Sequence, residues 1–387
     1  MAIPLKYNLR SLLVRRVSTA MTAGGIALVV AVFVIVMALV AGLNTAIADA
    51  GSPDNMIVLR RGATTETYSA IQLDQFEAMR FLPQVRREPD GQVDASPELA
   101  VQLWLERAGG GTDYIVVRGV RPIALKVHDK VKIVEGRMFN PSVNEVIVGR
   151  GLVGRYKDCT VGSTLRFGRG TWKVVGIFTS GGSTFESEVW GDLHNVQDDA
   201  QRGDYYGGVR LKVAPGTDTD ALIRRIADDP RINLQAQTEP DYYKDQAIVA
   251  NRMRTLGMIV AIIMAVGAIF GAMNTMYAAV SARTGEIATL RALGFTPSAV
   301  MTSFLIESVA LALGAGLIGI VLAMPINGLS TTFGNFVTFS TLAFSFRVTF
   351  LIVIEAVIFA AVMGAMGGWL PARQAMKMPV TDALRRV

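Results

Sequence analysis

Residues 17–48, 255–282, 292–306 and 308–346 carry no Asp, Glu, Lys or Arg, and the last run continues past Arg347 interrupted only by Glu355. A helix rising about 1.5 Å per residue needs roughly 20 apolar residues to cross a hydrocarbon core of about 30 Å, and each run holds one such segment. Pro325, Asn327 and the polar residues after them divide the apolar region that follows Glu307. The pattern predicts four transmembrane helices, at residues 21–43, 256–280, 300–324 and 348–369. Residues 44–255 are then a large insert, 281–299 and 325–347 are short loops, and 370–387 is a tail. Ala48, Asp49 and Ala50 resemble a signal-peptidase site, but the apolar run before them is about twice as long as a signal h-region, so the first segment reads as an uncleaved anchor.

The insert changes period. Alternating or β-rich runs at residues 56–59, 114–120, 130–134, 145–148, 163–167, 171–178 and 209–213 are separated by Gly pairs and Asn/Asp turns and predict strands. Residues 72–81 and 219–226 have apolar positions at helical spacing; the first ends before Pro83 and the second stops at the Asp228-Asp229-Pro230 break. Pro240 opens a polar helical stretch with Tyr242, Tyr243, Ile248 and Met253 that meets no breaker before the second span, which predicts a stalk joining an α+β domain to the membrane.

Charge sets the orientation, because Lys and Arg near span ends stay on the cytoplasmic side. Lys6, Arg10, Arg15 and Arg16 precede the first span, Arg283 and Arg291 lie between the second and third, and Arg373, Lys377, Arg385 and Arg386 follow the fourth. The loop 325–346 has no charge. Both termini and the 281–299 loop are therefore expected in the cytoplasm, and the insert outside. The net charge of +6 is partly this bias, and no basic stretch interleaved with aromatics suggests nucleic acid. Residues 4–17 place Leu5, Leu9, Leu12, Leu13 and Val17 on one helical face, as in a helix lying in the cytoplasmic interface.

Chemistry is sparse. No Gly-x-x-x-x-Gly-Lys-Ser/Thr loop is present to cradle a phosphate. His128 and His194 stand far apart without partners at ligand spacing, so no metal site is expected, and the lone Cys159 has no cysteine to pair with. The Ser180–Thr184 run reads as a flexible loop without a base. No catalytic residues are predicted.

The informative segment is the 281–299 loop. Ile287, Leu290 and Leu293 lie at helical spacing, Glu286 is within reach of Arg283, Gly294 suits a left-handed C-cap, and Thr296-Pro297 can restart a helix. R-T-G-E-I-A-T-L-R-A-L-G over 283–294, F-L-I-E-S over 304–308, Gly314, Gly316 and Gly319, and the tail L-P-A-R-Q-A-M-K-M-P-V-T-D-A-L-R resemble the FtsX-like permease domain. D-N-M-I-V-L-R-R-G, E-G-R-M-F, N-E-V-I-V-G-R-G-L, V-G-S-T-L-R-F and W-K-V-V-G-I-F, in that order through the insert, resemble the MacB-like periplasmic core. The chain departs from the pattern at its end, where Arg385 is followed by Arg386 and Val387 and many relatives carry an acid.

The resemblance implies the type VII ABC transporter architecture: a non-enzymatic permease subunit in the bacterial inner membrane, working as a dimer by mechanotransmission. ATP and Mg would be bound by a separate ATPase present in two copies, no cofactor would be bound by this chain, and a periplasmic adaptor and outer-membrane channel would complete an exporter. The resemblance makes the 281–299 loop the coupling helix, with Arg283, Glu286, Leu290, Arg291 and Gly294 seated on the ATPase. The alternative it allows is a signal relay that activates a cell-wall hydrolase without transport. Small residues predict packing faces, Gly267 with Gly271 in the second span and Ala360, Gly364 and Gly368 in the fourth. Glu307 and Glu355 lie inside spans, where charge is expensive, and are expected to be structural or, for Glu355, proton- or substrate-linked.

Overall fold

The computed structural model describes residues 16–89, 91–246, 248–335 and 340–377. The chain forms two compact units, one of Met1–Ala41, Arg252–Leu329 and Phe346–Val387, the other of Gly42–Asn251 with Ser330–Ser345. The amphipathic N-terminal helix expected at 4–17 and most of the tail motif lie outside the described residues.

Four helices are long and apolar enough to cross a membrane: span 1 (Thr19–Ala48), span 2 (Arg252–Ala282), span 3 (Pro297–Ile326) and span 4 (Phe350–Lys377). In the first unit they pack through small residues. A Cβ on Gly364 would lie 2.6 Å from that of Ala312, one on Gly316 would lie 2.6 Å from that of Ala360, and Ser308 Oγ donates to Gly364 O at 2.7 Å, so spans 3 and 4 meet backbone to backbone. Gly319 presses on Ala27 of span 1 and Gly367 on Ala272 of span 2. Thr22 and Thr275 hydroxyls bond at 2.8 Å between spans 1 and 2, satisfying polar groups that lipid cannot. Span 2 keeps Leu256, Ile259, Ile263 and Phe270 exposed, the composition of a lipid or partner face. Span 4 runs through Pro371 to Lys377, beyond the end at 369 that hydropathy suggests.

The second unit is built on a ten-stranded sheet. Its strands are β1 (Asn55–Arg60), β3 (Ala95–Glu106), β4 (Thr112–Val120), β5 (Lys132–Gly136), β6 (Glu145–Gly149), β7 (Thr164–Phe167), β8 (Gly170–Thr179), β9 (Glu188–Asp192), β11 (Gly208–Lys212) and β12 (Leu234–Thr238), while β2 (Ile71–Gln72) and β10 (Tyr205–Tyr206) pair separately. The order is β12-β1-β11-β3-β4-β9-β6-β8-β5, with β7 on β8. β3 joins the two halves: Ala95–Glu98 pairs with β11, and Leu99–Glu106 pairs with β4. Helices Leu73–Arg80 and Thr219–Asp228 cover the sheet, burying Phe76, Met79, Leu222 and Ile226 in a continuous apolar core.

The seven predicted strands and two predicted helices are present within a few residues of their expected bounds. β3 was not predicted, although every odd position from Ala95 to Leu105 is apolar, because Pro97 reads as a strand breaker; it stands near the β3 start, in the stretch paired to β11. The loop 325–347, uncharged up to Phe346, is a further surprise, since it contains a hairpin, β13 (Ser330–Asn335) and β14 (Ser340–Ser345), that belongs to the sheet-bearing unit.

Candidate transmission site

The loop between spans 2 and 3 folds as a helix, Thr284–Ala292, closed by Gly294 at φ +92°. Thr296 then caps span 3, accepting from Ala299 N, with Pro297 at the first helical position. Arg283 bridges two acids: Nε donates to Glu286 Oε2 at 3.0 Å and Nη1 to Glu307 Oε2 at 3.0 Å. Arg291 Nη1 donates to Met376 O at 3.1 Å, fixing the other end of the helix to span 4. The predicted apolar stripe divides. Ile287 and Ala288 are buried inward, Leu290 is half-buried, and Leu293 is 70% exposed beside Glu286, Thr289 and Ala292. The helix is thus anchored to two spans while showing a mixed outer face.

In the sheet-bearing unit a row of charge crosses four neighbouring strands. Arg210 on β11 opposes Ser96, Gly208 opposes Glu98, Ala100 opposes Arg118 on β4, and Trp190 on β9 opposes Arg118, so Arg210, Glu98, Arg118 and Glu188 follow one another at diagonal positions with alternating sign. Arg118 takes Glu188 in a two-pronged pair at 2.7 Å for both bonds, and its Nη1 reaches Glu66 and Glu98 at 3.0 Å. Arg210 Nη1 reaches the same two acids. His128 Nε2 lies 2.8 Å from Glu98 Oε1, and Trp190 Nε1 donates to Glu188 at 2.8 Å. Phe185 lies against both guanidiniums, 5.3 Å from Arg118 and 5.6 Å from Arg210.

These groups are buried, and burial alone would drive their protons toward the neutral forms. Burial pushes the Glu98 carboxyl up, but Arg210, His128 and Arg118 outweigh it and hold the group well below the carboxylate range. Glu66 is likewise raised by burial and brought below its usual value by Arg118 and Arg210. The two guanidiniums remain protonated, since burial opposes their charge and the surrounding carboxylates more than restore it.

The stalk enters this hub. The helix Glu239–Gln246 follows β12 directly, and Glu239 is 1% exposed. Its Oε1 accepts from Arg210 Nε at 2.8 Å, and its Oε2 accepts from Ser52 N at 3.0 Å and Asn55 Nδ2 at 3.1 Å. One turn on, Tyr243 OH accepts from Arg210 Nη2 at 3.2 Å. Ser52 and Asn55 lie just after span 1, and the Glu239 helix lies just before span 2. One carboxylate therefore ties the segment leaving the first span to the segment returning to the second. Lys130 Nζ adds bonds to the carbonyls of Asp49 at 2.8 Å and Gly51 at 3.1 Å. The helix Ile248–Ala282 continues toward the spans; residue 247, on which continuity of the stalk depends, is outside the described residues.

The sequence matches two families in the order the architecture requires. The MacB-like periplasmic core domain covers residues 19–229, and the FtsX-like permease C-terminal domain covers residues 258–380. The chain belongs to the FtsX/MacB-like permeases. Among curated relatives of this permease, the macrolide export ATP-binding/permease protein MacB of Chlorobium luteolum is 26% identical over 62% of this chain and 37% of that protein. The pyoverdine export ATP-binding/permease protein PvdT of Pseudomonas entomophila is 26% identical over 97% of this chain and 58% of that protein. The uncharacterized ABC transporter permease YknZ of Bacillus subtilis is 36% identical over 34% of this chain and 30% of that protein. The chain thus spans about a third of the MacB relative's length. Among solved structures, the periplasmic region of MacB from Actinobacillus actinomycetemcomitans aligns at TM-score 0.38 and 10% identity over 51% of this chain and 94% of that one. The molecule has the architecture of this family, a membrane protein with four candidate spans and an extracellular-type domain inserted between spans 1 and 2.

The residues singled out from the permease sequence fall in three places. Arg283, Glu286, Leu290, Arg291 and Gly294 all belong to the loop helix or its cap. Gly364 and Gly368 face span 3, with a Gly368 Cβ 2.5 Å from that of Ser308, whereas nothing lies within 4 Å of a Cβ on Gly267 or Gly271, so the GxxxG face packs against no described part of its own chain. Glu307 is the partner of Arg283, and Glu355 comes within 3.9 Å of Arg254 on span 2. His128 belongs to the hub and is not solvated, while His194 is exposed. The Ser180–Thr184 run is held rather than loose: Glu186 Oε1 accepts from Ser180 N at 2.7 Å and Gly182 N at 2.9 Å, and Ser180 and Ser183 are buried. Sequence reasoning missed the hub. Its only signal was charges, Glu98, Arg118 and Arg210, flanked by apolar residues inside strands.

Proposed function

We propose that this permease works by mechanotransmission: a separate ABC ATPase drives the 281–299 loop, and the inserted domain moves outside the membrane to expel or extract a substrate. The observation that carries the reading is Glu239, whose carboxylate joins the segments flanking spans 1 and 2 to one buried charged hub, so that a displacement of the stalk is delivered to the sheet without slack. A rigid body with its ionic contacts buried suits force transfer, because the pairs that orient it are shielded from salt and water.

In this reading two ATPase copies bind ATP and Mg, a second permease copy completes a homodimer, and an adaptor with an outer-membrane channel receives the cargo. The chain sits in the cytoplasmic membrane with both termini inside. Relatives named for macrolide and pyoverdine export favour a bulky amphiphilic substrate over a small ion.

Affinity purification of the full chain from detergent-solubilised membranes tests this. An ABC ATPase is expected to co-purify, and Glu286→Ala with Arg291→Ala is expected to lower its recovery by about tenfold, the loss of two interfacial anchors. Unaided ATP hydrolysis by the permease, or labelling of Thr284 and Thr289 from outside the cell, overturns the reading.

A further inference from the structure

The hairpin between spans 3 and 4 makes contacts that a simple connecting loop has no use for. Ala343 N donates to Ser187 Oγ at 2.7 Å in a buried bond, and Arg155 Nη1 donates to Thr331 O at 3.3 Å. Ala343 and Phe344 are 9% and 4% exposed. Gly42, on the outer end of the first span's helix, lets the strand approach so closely that a Cβ there would overlap Ser345 O, while a Cβ on Gly151 would lie 3.1 Å from that of Ala343 and 2.8 Å from Glu186 O. One turn before Gly42, Ala38 O accepts from Arg347 N at 3.1 Å. The same face of one helix thus receives the chain on both sides of Phe346. The absence of charge from 325–346 gains a second cause: a segment packed in part into the domain, with Ala343 and Phe344 buried, has no charge to desolvate.

We propose that this hairpin is a second drive link, which stays seated on the inserted domain through the whole transport cycle. Resting on the mechanotransmission reading above, it means that force reaches the domain at two places, the Glu239 stalk and the span 3–4 hairpin. A body held by a single stalk swivels about it; one held at two separated points follows the membrane helices as a lever. Gly42, Gly151 and Ser187 are positioning residues for that motion, and none of them belongs to the ATPase-facing loop or contributes a charge to the hub.

The test is a cysteine pair, Ser187→Cys with Ala343→Cys, in the full chain reconstituted in lipid nanodiscs with its co-purified ATPase. The native Cys159 is buried with its thiol pushed up to about 12 by that burial, so it does not compete. Mild oxidation is expected to form the disulfide with equal yield in nucleotide-free complex and in complex trapped with ATP and vanadate, and turnover is expected to stay within about twofold of the reduced form. Gly42→Val, and independently Gly151→Val, should lower the cross-link yield by about fivefold or more through overpacking. A yield that collapses in one nucleotide state, turnover that stops on oxidation and returns on reduction, or an unchanged yield in both valine variants overturns the second link. Failure of the transporter reading itself looks different: no ATPase co-purifies, while the cross-link in the lone chain remains readable.

Discussion

Arg210 Nε donates to Glu239 Oε1 at 2.8 Å with neither side chain more than 1% exposed, and this pair is where the stalk joins the sheet. Removing one member of such a pair strands the other charge away from water. Glu239→Ala is therefore expected to destabilise the domain by about 3–5 kcal/mol, and Glu239→Gln, which keeps the hydrogen-bonding shape, by less. Denaturant unfolding followed through buried Trp172 and Trp190 measures it. Equal stability of the alanine variant would remove Glu239 from the transmission path.

The hub also sets acid stability. Glu66 and Glu98 ionise at lower pH in the folded domain than in the unfolded chain, where glutamate titrates near about 4.3. Their contribution is complete above that value and is lost as pH falls through the folded values. The near-UV circular dichroism signal should accordingly hold between about pH 7 and 5 and decay only below about 4. Arg118→Met should move the acid midpoint upward, and an unchanged midpoint would show that Arg118 does not sustain these carboxylates.

At the loop helix, Arg283 spans Glu286 and Glu307 with two different nitrogens of one planar group, which a lysine cannot imitate. Arg283→Lys should preserve ATPase co-purification but loosen coupling, seen as ATP turnover that no longer tracks movement of the inserted domain. A fully coupled lysine variant would reduce the arginine to a bare positive charge.

The two small-residue faces should separate in experiment. Gly364→Val intrudes on Ala312 and the Ser308 carbonyl, an overpacking expected to cost about 1–3 kcal/mol in the thermal stability of the monomer. Gly267→Val meets nothing within 4 Å and should leave monomer stability intact while weakening self-association, read by single-molecule photobleaching in nanodiscs. Loss of monomer stability with Gly267→Val would place that face inside the chain.

Much of the plan is legible in the amino-acid sequence. Charge-free runs long enough to cross a bilayer gave the four spans, since lipid penalises each charge independently of its neighbours. Strands 145–149 and 170–179 were readable for a similar reason, as alternation or apolar continuity records which face is buried. Gly294 and Thr296-Pro297 announced the ends of the loop helix because backbone geometry at caps admits few residues.

What the sequence determined by itself is therefore one-dimensional: spans, most strands, caps and the uneven placement of Lys and Arg among the loops, each depending on a residue and its near neighbours. Only the tertiary structure decided that Glu66, Glu98, Arg118, Glu188, Arg210 and Glu239 converge, that Arg283 pairs with Glu307, and that the uncharged stretch 325–346 carries a hairpin seated against Ser187 and Gly42. A charge inside a strand looks like an error until its partner, up to 144 residues away, supplies the compensating field, and local pattern carries no record of that pairing.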